Sequence, residues 1–401
     1  MATHPRHALA YLTGATLSYT GTALVPVAMS FAVLDTGHGA YALGLVLAAQ
    51  SVPTIILLLL GGVAGDRWPR RSIMIGADLL RTIAQAILAG CLIYGHAPLA
   101  LMVAVSAVIG VGNAFFQPAS GGFLTEIVAA EQLGRMNGLL RTANALAMAI
   151  GPAVGGVVVA TIGPGWGIAV DAGSYLASAV CLLSIKLPAK AAPSAAVRQS
   201  IGGELVEAVQ AIRQTRWLCL IIVQYGLLNM LAFAPFNVIV PAILSRTSAG
   251  AGAWGELLSG IGVGAVLGAF ACARRQPRRL LLGVEAAAVM LSAPMFLLAF
   301  HAPFPMVILG CVAFGIGAAM LSVLTITAIQ KEIARSMLSR TMAMVQLANI
   351  GLTPLGYILA GPAMGFMGAR TSLALSGFCI LASAAVLLSQ PEIRGFECRS
   401  S

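Results

Sequence analysis

The stretch Gly62-Val63-Ala64-Gly65-Asp66-Arg67-Trp68-Pro69-Arg70-Arg71 closes one long apolar run and precedes another. Four charged side chains and a proline packed between two such runs form a tight loop pinned between membrane-crossing helices. Reading outward, the same alternation fills the chain. With 59% hydrophobic residues, 9% charged residues and 45 glycines in 401, the composition leaves no ordinary water-facing surface. A span needs about 20 apolar residues. Twelve runs fit, near 8–34, 41–64, 73–94, 98–124, 137–161, 166–186, 217–244, 254–273, 280–300, 304–329, 341–361 and 369–389. The expected fold is an all-α membrane protein of twelve transmembrane helices.

A faint echo of the opening loop, Arg274-Arg275-Gln276-Pro277-Arg278-Arg279, stands 208 residues later, with Arg274 in the place of Asp66. Other pairs share an offset of 205: Arg135 with Arg340, Ala143-Asn144 with Ala348-Asn349, and His96 with His301. Agreement at one spacing indicates a duplicated six-helix unit. The expected division is therefore 1–186, a cytoplasmic linker over 187–215, and 216–401. In the linker, Ile201, Leu205, Val209 and Ile212 recur at helical spacing after Ser200, which predicts a short amphipathic helix on the inner membrane surface.

The net charge of +10 is decided by its placement. With the N-terminus inside, 19 of the 23 Lys and Arg fall on cytoplasmic segments, Arg246 and Arg370 lie outside, and Arg81 and Arg141 remain within spans. This is the positive-inside asymmetry, with both termini cytoplasmic. Basic character here sets topology and does not mark a nucleic-acid partner. Six cysteines (Cys91, Cys181, Cys219, Cys272, Cys311, Cys379) lie within or at the edge of spans and none forms a C-x-x-C pair, so neither a disulfide framework nor a zinc site is supported. The tail Cys398-Arg-Ser-Ser lacks the aliphatic residues of a prenylation signal. The first apolar run is too long for a cleaved signal peptide and is expected to stay.

The pattern Gly62-x-x-x-Asp66-Arg67-x-x-Arg70-Arg71 resembles the signature loop between the second and third spans of the major facilitator superfamily of secondary transporters, with Pro69 where that family usually has glycine. A second set, Gly138, Gly151, Pro152, Gly155 and Gly156, with Ala147 at a remaining glycine position, resembles the superfamily's exporter-associated motif in the fifth span. Glycines four apart let helices approach closely, and proline bends the axis. The stretches Phe116-Gln-Pro-Ala-Ser-Gly-Gly-Phe-Leu-Thr-Glu126 and Gly163-Pro-Gly-Trp166 are similar to the subgroup that holds macrolide efflux pumps and the enterobactin exporter. The resemblance implies alternating access by two six-helix bundles, a midplane site lined by spans one, four, seven and ten, protons as the driving ion, and a monomer in a bacterial-type cytoplasmic membrane. Many antiporters of the superfamily carry an arginine in the fourth span, and residues 101–124 contain none.

On those four spans the candidate cavity residues are Tyr19, Asn113, Phe116, Gln117, Tyr225, Asn229, Phe233 and Met320. Tyr225, Asn229, Phe233 and Phe236 share one helical face. An uncharged wall of amide, hydroxyl, aromatic and thioether groups suits a bulky neutral or weakly cationic amphiphile. The bland alternative is helix packing, since small and hydroxylated residues such as Ser18 and Thr22 line helix interfaces in lipid. Candidate proton or charge sites are Asp35, Asp78, Asp171, Glu285 and Arg141. Asp78 and Arg81 are spaced i, i+3 and share a face, so an internal ion pair is preferred to a proton carrier there. Asp171, near the outer end of its span, is as readily wetted as functional. By resemblance, the loop at Asp66 abuts the start of the eleventh span, whose unsatisfied N–H groups would hold the carboxylate as a cytoplasmic lock. Arg70 and Arg71 are then expected to reach Glu332, and Arg274 and Arg275 to reach Glu126 or Glu131, unless these arginines only fix topology.

Direct ATP hydrolysis is excluded, because none of the three lysines (Lys186, Lys190, Lys331) follows a glycine as a phosphate-binding loop requires. No catalytic constellation is visible: His4, His7, His38, His96 and His301 are scattered over the N-terminus and outer loops. No cofactor is expected. The sequence points to a proton-driven exporter, with a proton-coupled uptake carrier or a non-transporting receptor on the same fold as alternatives.

Overall fold

A computed structural model describes residues 5–95, 97–185, 215–248, 250–275, 277, 279–333 and 335–396. The expected linker helix lies outside these residues. Among them, twelve helical segments are long and apolar enough to cross a membrane: Arg6–Leu34, Gly39–Gly65, Arg70–Ile93, Leu99–Ile127, Ala130–Ile162, Pro164–Ser184, Arg216–Leu244, Gly250–Arg274, Leu280–Ala299, Phe304–Glu332, Met344–Met367 and Ala369–Ser389. The described residues contain no strand. Outward faces carry Ile56, Ile83, Val157, Leu309 and Phe366, all exposed. Such a skin is tolerable only where lipid replaces water.

The chain divides into two compact units, Met1–Ala196 with Pro241–Ser259, and Val197–Val240 with Gly260–Ser401. In the first, span one packs on five and six, span two on four, and span three on four and six. Spans two and four touch backbone to backbone: a Cβ on Gly61 would strike the carbonyl of Ala114, and one on Gly110 the carbonyl of Gln50. In the second unit, span nine packs on ten and twelve, and span seven on eleven. There Gly315 seats against the carbonyl of Ile261, and Gly315 lies 205 residues after Gly110. The same offset separates Gly163 from Gly368, each the hinge between two helices, with φ +94° and +81°. Backbone in that region is open to glycine and strained for most other residues. The internal repeat is therefore written in the chain's turns as well as in its side chains.

Three spans depart from the unbroken helices expected. Span nine is two helices, Leu280–Met290 and Ala293–Ala299, and the helical run of span eleven is also two, Arg335–Gly351 and Thr353–Met367. Pro294 and Pro354 begin the second pieces; a proline has no N–H for the carbonyl four residues back, so the ladder restarts there. Span seven runs Arg216–Leu228, a π turn Asn229–Phe233, then Ala234–Leu244. The amide of Ala234 bonds the carbonyl of Asn229, five residues back, and the side chains of Asn229 and Asn237 donate to the carbonyls of Tyr225 (3.0 Å) and Phe233 (2.8 Å). Two asparagines thus satisfy backbone groups around the widened turn. The simple helical face drawn through Tyr225, Asn229, Phe233 and Phe236 does not run unbroken through it.

Candidate functional site

Span three is amphipathic in reverse. Asp78, Arg81 and Gln85, spaced i, i+3 and i+7, are 0%, 5% and 1% exposed, while Leu79, Leu80, Ile83 and Ile87 face outward. A polar stripe turned inward from lipid has to find its partners inside the protein. It finds them on three other spans. Arg81 pairs with Asp78 through Nη2 and donates from Nη1 to Oδ1 of Asn113 at 3.0 Å. Its guanidinium also lies over the rings of Phe116 (4.4 Å) and Tyr175 (4.1 Å), positions in which a cation gains from the ring quadrupole. Gly112 makes this reach possible, because a Cβ there would sit 2.6 Å from Cγ of Arg81.

Asp171, on span six, is fully buried, which favours the second of the two readings left open for it, wetted or functional. Gln85 donates from Nε2 to its Oδ2 at 2.8 Å. Thr22 Oγ1 lies 3.1 Å from its Oδ1 and 3.2 Å from the Tyr175 hydroxyl. Thr22 is brought to this place by a close approach of spans one and six, where a Cβ on Gly21 would collide with Ser174 and lie 3.1 Å from Cα of Asp171. Oδ2 of Asp78, Nε of Arg81 and Oε1 of Gln85 are buried without a hydrogen-bond partner. Sequence reasoning found Asp78, Arg81, Asn113, Phe116 and Asp171 separately. It missed Gln85, Tyr175 and Gly112, although the 78/81/85 spacing and the i, i+4 pair Asp171/Tyr175 were visible signals.

In the second unit, Glu285 is fully buried and accepts from Nε2 of Gln224 at 2.6 Å, with Oε1 unpartnered. Tyr225 donates to the carbonyl of Leu321 (3.1 Å) and Asn229 to Asn349 (2.7 Å). Phe233 and Phe236 both pack on Phe314. Met320 is half-buried. An apolar pocket of about 130 Å³, lined by Met230, Pro235, Ile239, Leu359, Ala363 and Cys379 among others, is smaller than the few hundred Å³ of a drug-sized site.

The remaining candidates scatter. Tyr19 packs on the cluster around Tyr11 and Phe123; Gln117 and Arg141 are exposed. Asp35 lies in the turn after span one, where partial burial holds its carboxyl above the ordinary 3.8. Gly151 and Gly155 seat against Ala23 and Leu24 of span one, while a Cβ on Gly156 would lie 2.7 Å from the Ala251 carbonyl oxygen and 3.1 Å from Cα of Gly252. Gly255 returns the contact, since a Cβ there would strike the Pro152 carbonyl and lie 3.2 Å from Cα of Gly156, and Ser259 accepts a bond from the Ala153 amide at 3.0 Å. A Cβ on Gly138 would meet nothing within 4 Å. The stretch expected as a loop is mostly helical, with Gly62–Arg67 ending the helix Gly39–Arg67 and only Trp68 and Pro69 before Arg70–Ile93; a Cβ on Gly62 would also find open space, and one on Gly65 only Cα of Ala119 at 3.9 Å. Arg67 is exposed, and the Asp66 side chain lies outside the described residues. Arg70 reaches Glu126 at 3.8 Å. Arg71 donates to the carbonyls of Leu182 and Leu183, both at 2.8 Å, capping the end of span six. Within its own unit Glu126 faces Arg70, and Arg274 lies over Phe270.

Twelve apolar helices, a buried polar network and glycine seams define a polytopic α-helical membrane protein. The sequence pattern of the Major Facilitator Superfamily matches residues 11–351, and the chain belongs to that family of transporters. It is 25% identical over 396 residues to the multidrug efflux pump Tap of Mycolicibacterium fortuitum, covering 95% of this chain and 94% of the relative. It is 23% identical over 397 residues to macrolide efflux protein A of Streptococcus pyogenes, with 96% of each covered. Among solved structures it resembles the nucleoside transporter NupG (TM-score 0.75, 12% identity, 98% and 100% covered) and a D-xylose–proton symporter (TM-score 0.70, 16% identity, 99% and 100% covered).

Proposed function

We propose that the chain exports a bulky neutral or weakly cationic amphiphile, a drug or metabolite, out of the cytoplasm in exchange for protons. Residues 1–186 and 216–401 would rock about a midplane site as the two halves of an alternating-access cycle, with both termini cytoplasmic. The observation that carries this is similarity along more than nine-tenths of the chain to two differently named efflux proteins. The glycine seam at Gly151 to Gly156, where the exporter-like motif falls, supports it. Uncharged candidate cavity residues support an uncharged or weakly cationic ligand over a phosphate or dicarboxylate. Cells stripped of their own pumps and expressing the chain should accumulate less radiolabelled erythromycin than empty cells, and a proton uncoupler should remove the difference. Higher accumulation in expressing cells would favour the uptake carrier, and no change with any of a panel of amphiphiles would favour the receptor.

A further inference from the structure

Spans one, three, four and six converge on two carboxyls and a single guanidinium, with Asp78, Arg81, Gln85 and Asp171 all at least nine-tenths buried. With both acids ionised, the cluster would hold an unbalanced negative charge inside a membrane, which is strongly disfavoured. Arg81 is in direct contact with Asp78. Asp171 forms no ion pair among the described residues and is held by neutral groups, Gln85, Thr22 and Ser174. We propose, resting on the proton-driven reading above, that Asp171 is the exchangeable proton site of the transport cycle, with Asp78 the permanent counter-ion of Arg81.

The neighbours of Asp171 fit both of its states. As a carboxylate it only accepts, so Thr22 donates to it and Tyr175 donates to Thr22. As an acid it donates to Oγ1 of Thr22, whose own proton turns to the Tyr175 hydroxyl. One O–H bond forms on loading and breaks on release, and the proton leaves as it came. Oδ2 of Asp78 and Oε1 of Gln85 are buried acceptors without a hydrogen, whereas a purely structural network is ordinarily satisfied throughout. Among the described residues, the other ionisable groups around the cluster are Tyr175 on the same span, Tyr11 and Tyr19 on span one, and Arg141 of span five, which acts on Tyr19. Arg81 is, among the described residues, the cation whose charge acts on Asp171. Loading Asp171 removes its pull on Arg81, and Arg81 holds Asn113 and Phe116 of span four, so the proton's charge is transmitted to a span that carries candidate cavity residues. Glu285, buried on Gln224 with no ion pair among the described residues, is the rival site.

Infrared difference spectra of the full-length protein in lipid, titrated with pH and without ligand, should contain a protonated-carboxyl band. Asp171→Asn should remove it and Glu285→Gln should leave it, while Thr22→Val, which keeps every acid, should shift its frequency. In proteoliposomes with erythromycin as probe, Asp171→Asn should abolish transport driven by a pH gradient and retain erythromycin–erythromycin exchange. A band lost with Glu285→Gln, unmoved by Thr22→Val, or absent from the parent overturns the proposal, as does gradient-driven transport persisting in Asp171→Asn. Parent transport indifferent to the gradient would instead overturn the proton-driven reading on which the proposal rests.

Discussion

A Cβ on Gly112 would lie 2.6 Å from Cγ and 2.9 Å from Cδ of Arg81, closer than packed carbons approach, so the guanidinium reaches Asn113 and Phe116 across a position with no side chain. Gly112→Val should displace Arg81 and lower export severely, whereas Gly76→Ala, where a Cβ meets nothing within 4 Å, should not; drug-accumulation assays at matched membrane levels compare the two. Asp66 stands one residue before the end of the helix Gly39–Arg67. If its carboxylate is a lock on a helix start, worth on the order of 0.3 to 2 kcal/mol, Asp66→Asn should leave insertion intact, favour the inward-open state and cut transport. Distances between labels on the cytoplasmic loops that do not change in the variant would remove Asp66 from that role. Asp35 differs from these two. Its folded-state value is raised by burial, so ionising it costs folding free energy above that value and nothing below the unfolded 3.8. Asp35→Asn should therefore be neutral in acid and neutral to slightly stabilising at pH 7 in thermal unfolding scans, with export retained. At this scale the sequence showed which residue types were out of place in lipid, since a buried acid stands out against apolar neighbours. It did not show their partners: Gln85 is 86 positions from Asp171, and only tertiary packing joins them.

Helix existence was legible because a span is a count of apolar residues, and the twelfth run, 369–389, matches the helix Ala369–Ser389. The interruptions were not, because each depends on how freed backbone groups are satisfied. The π turn in span seven relies on Asn229 and Asn237 reaching carbonyls four residues back, and periodicity carries no trace of that. The exporter-like glycines divide by face. Gly151 and Gly155 serve the contact with span one, and Gly156 serves the contact with residues 251–252. Overpacking such a seam costs about 1–3 kcal/mol or more, so Gly151→Leu should abolish efflux in protein that still reaches the membrane. Gly255→Leu, from the opposite helix, should reproduce the defect. Gly138→Leu, whose side chain enters open space, should export normally; a defect there equal to that of Gly151→Leu would show that the motif acts by something other than close packing.

Over the whole molecule, duplication was legible in pairs such as His96 and His301 and recurs in the hinges Gly163 and Gly368. Charge placement predicts an orientation: in a cysteine-free background, Ser248→Cys should react with an impermeant reagent from outside, and Glu131→Cys only after permeabilisation. The reverse pattern would invert the topology. The fold alone is shared with a nucleoside transporter and a D-xylose–proton symporter, so the direction of transport relative to protons is what would separate an exporter from proteins of the same fold. The most direct measurement is erythromycin flux in inside-out membrane vesicles under an imposed pH gradient, interior acid. The account predicts uptake of the probe against its own gradient, with accelerated loss of the pH gradient, both abolished by a proton ionophore. Accumulation confined to right-side-out vesicles, or uptake unaffected by collapsing the gradient, would contradict it.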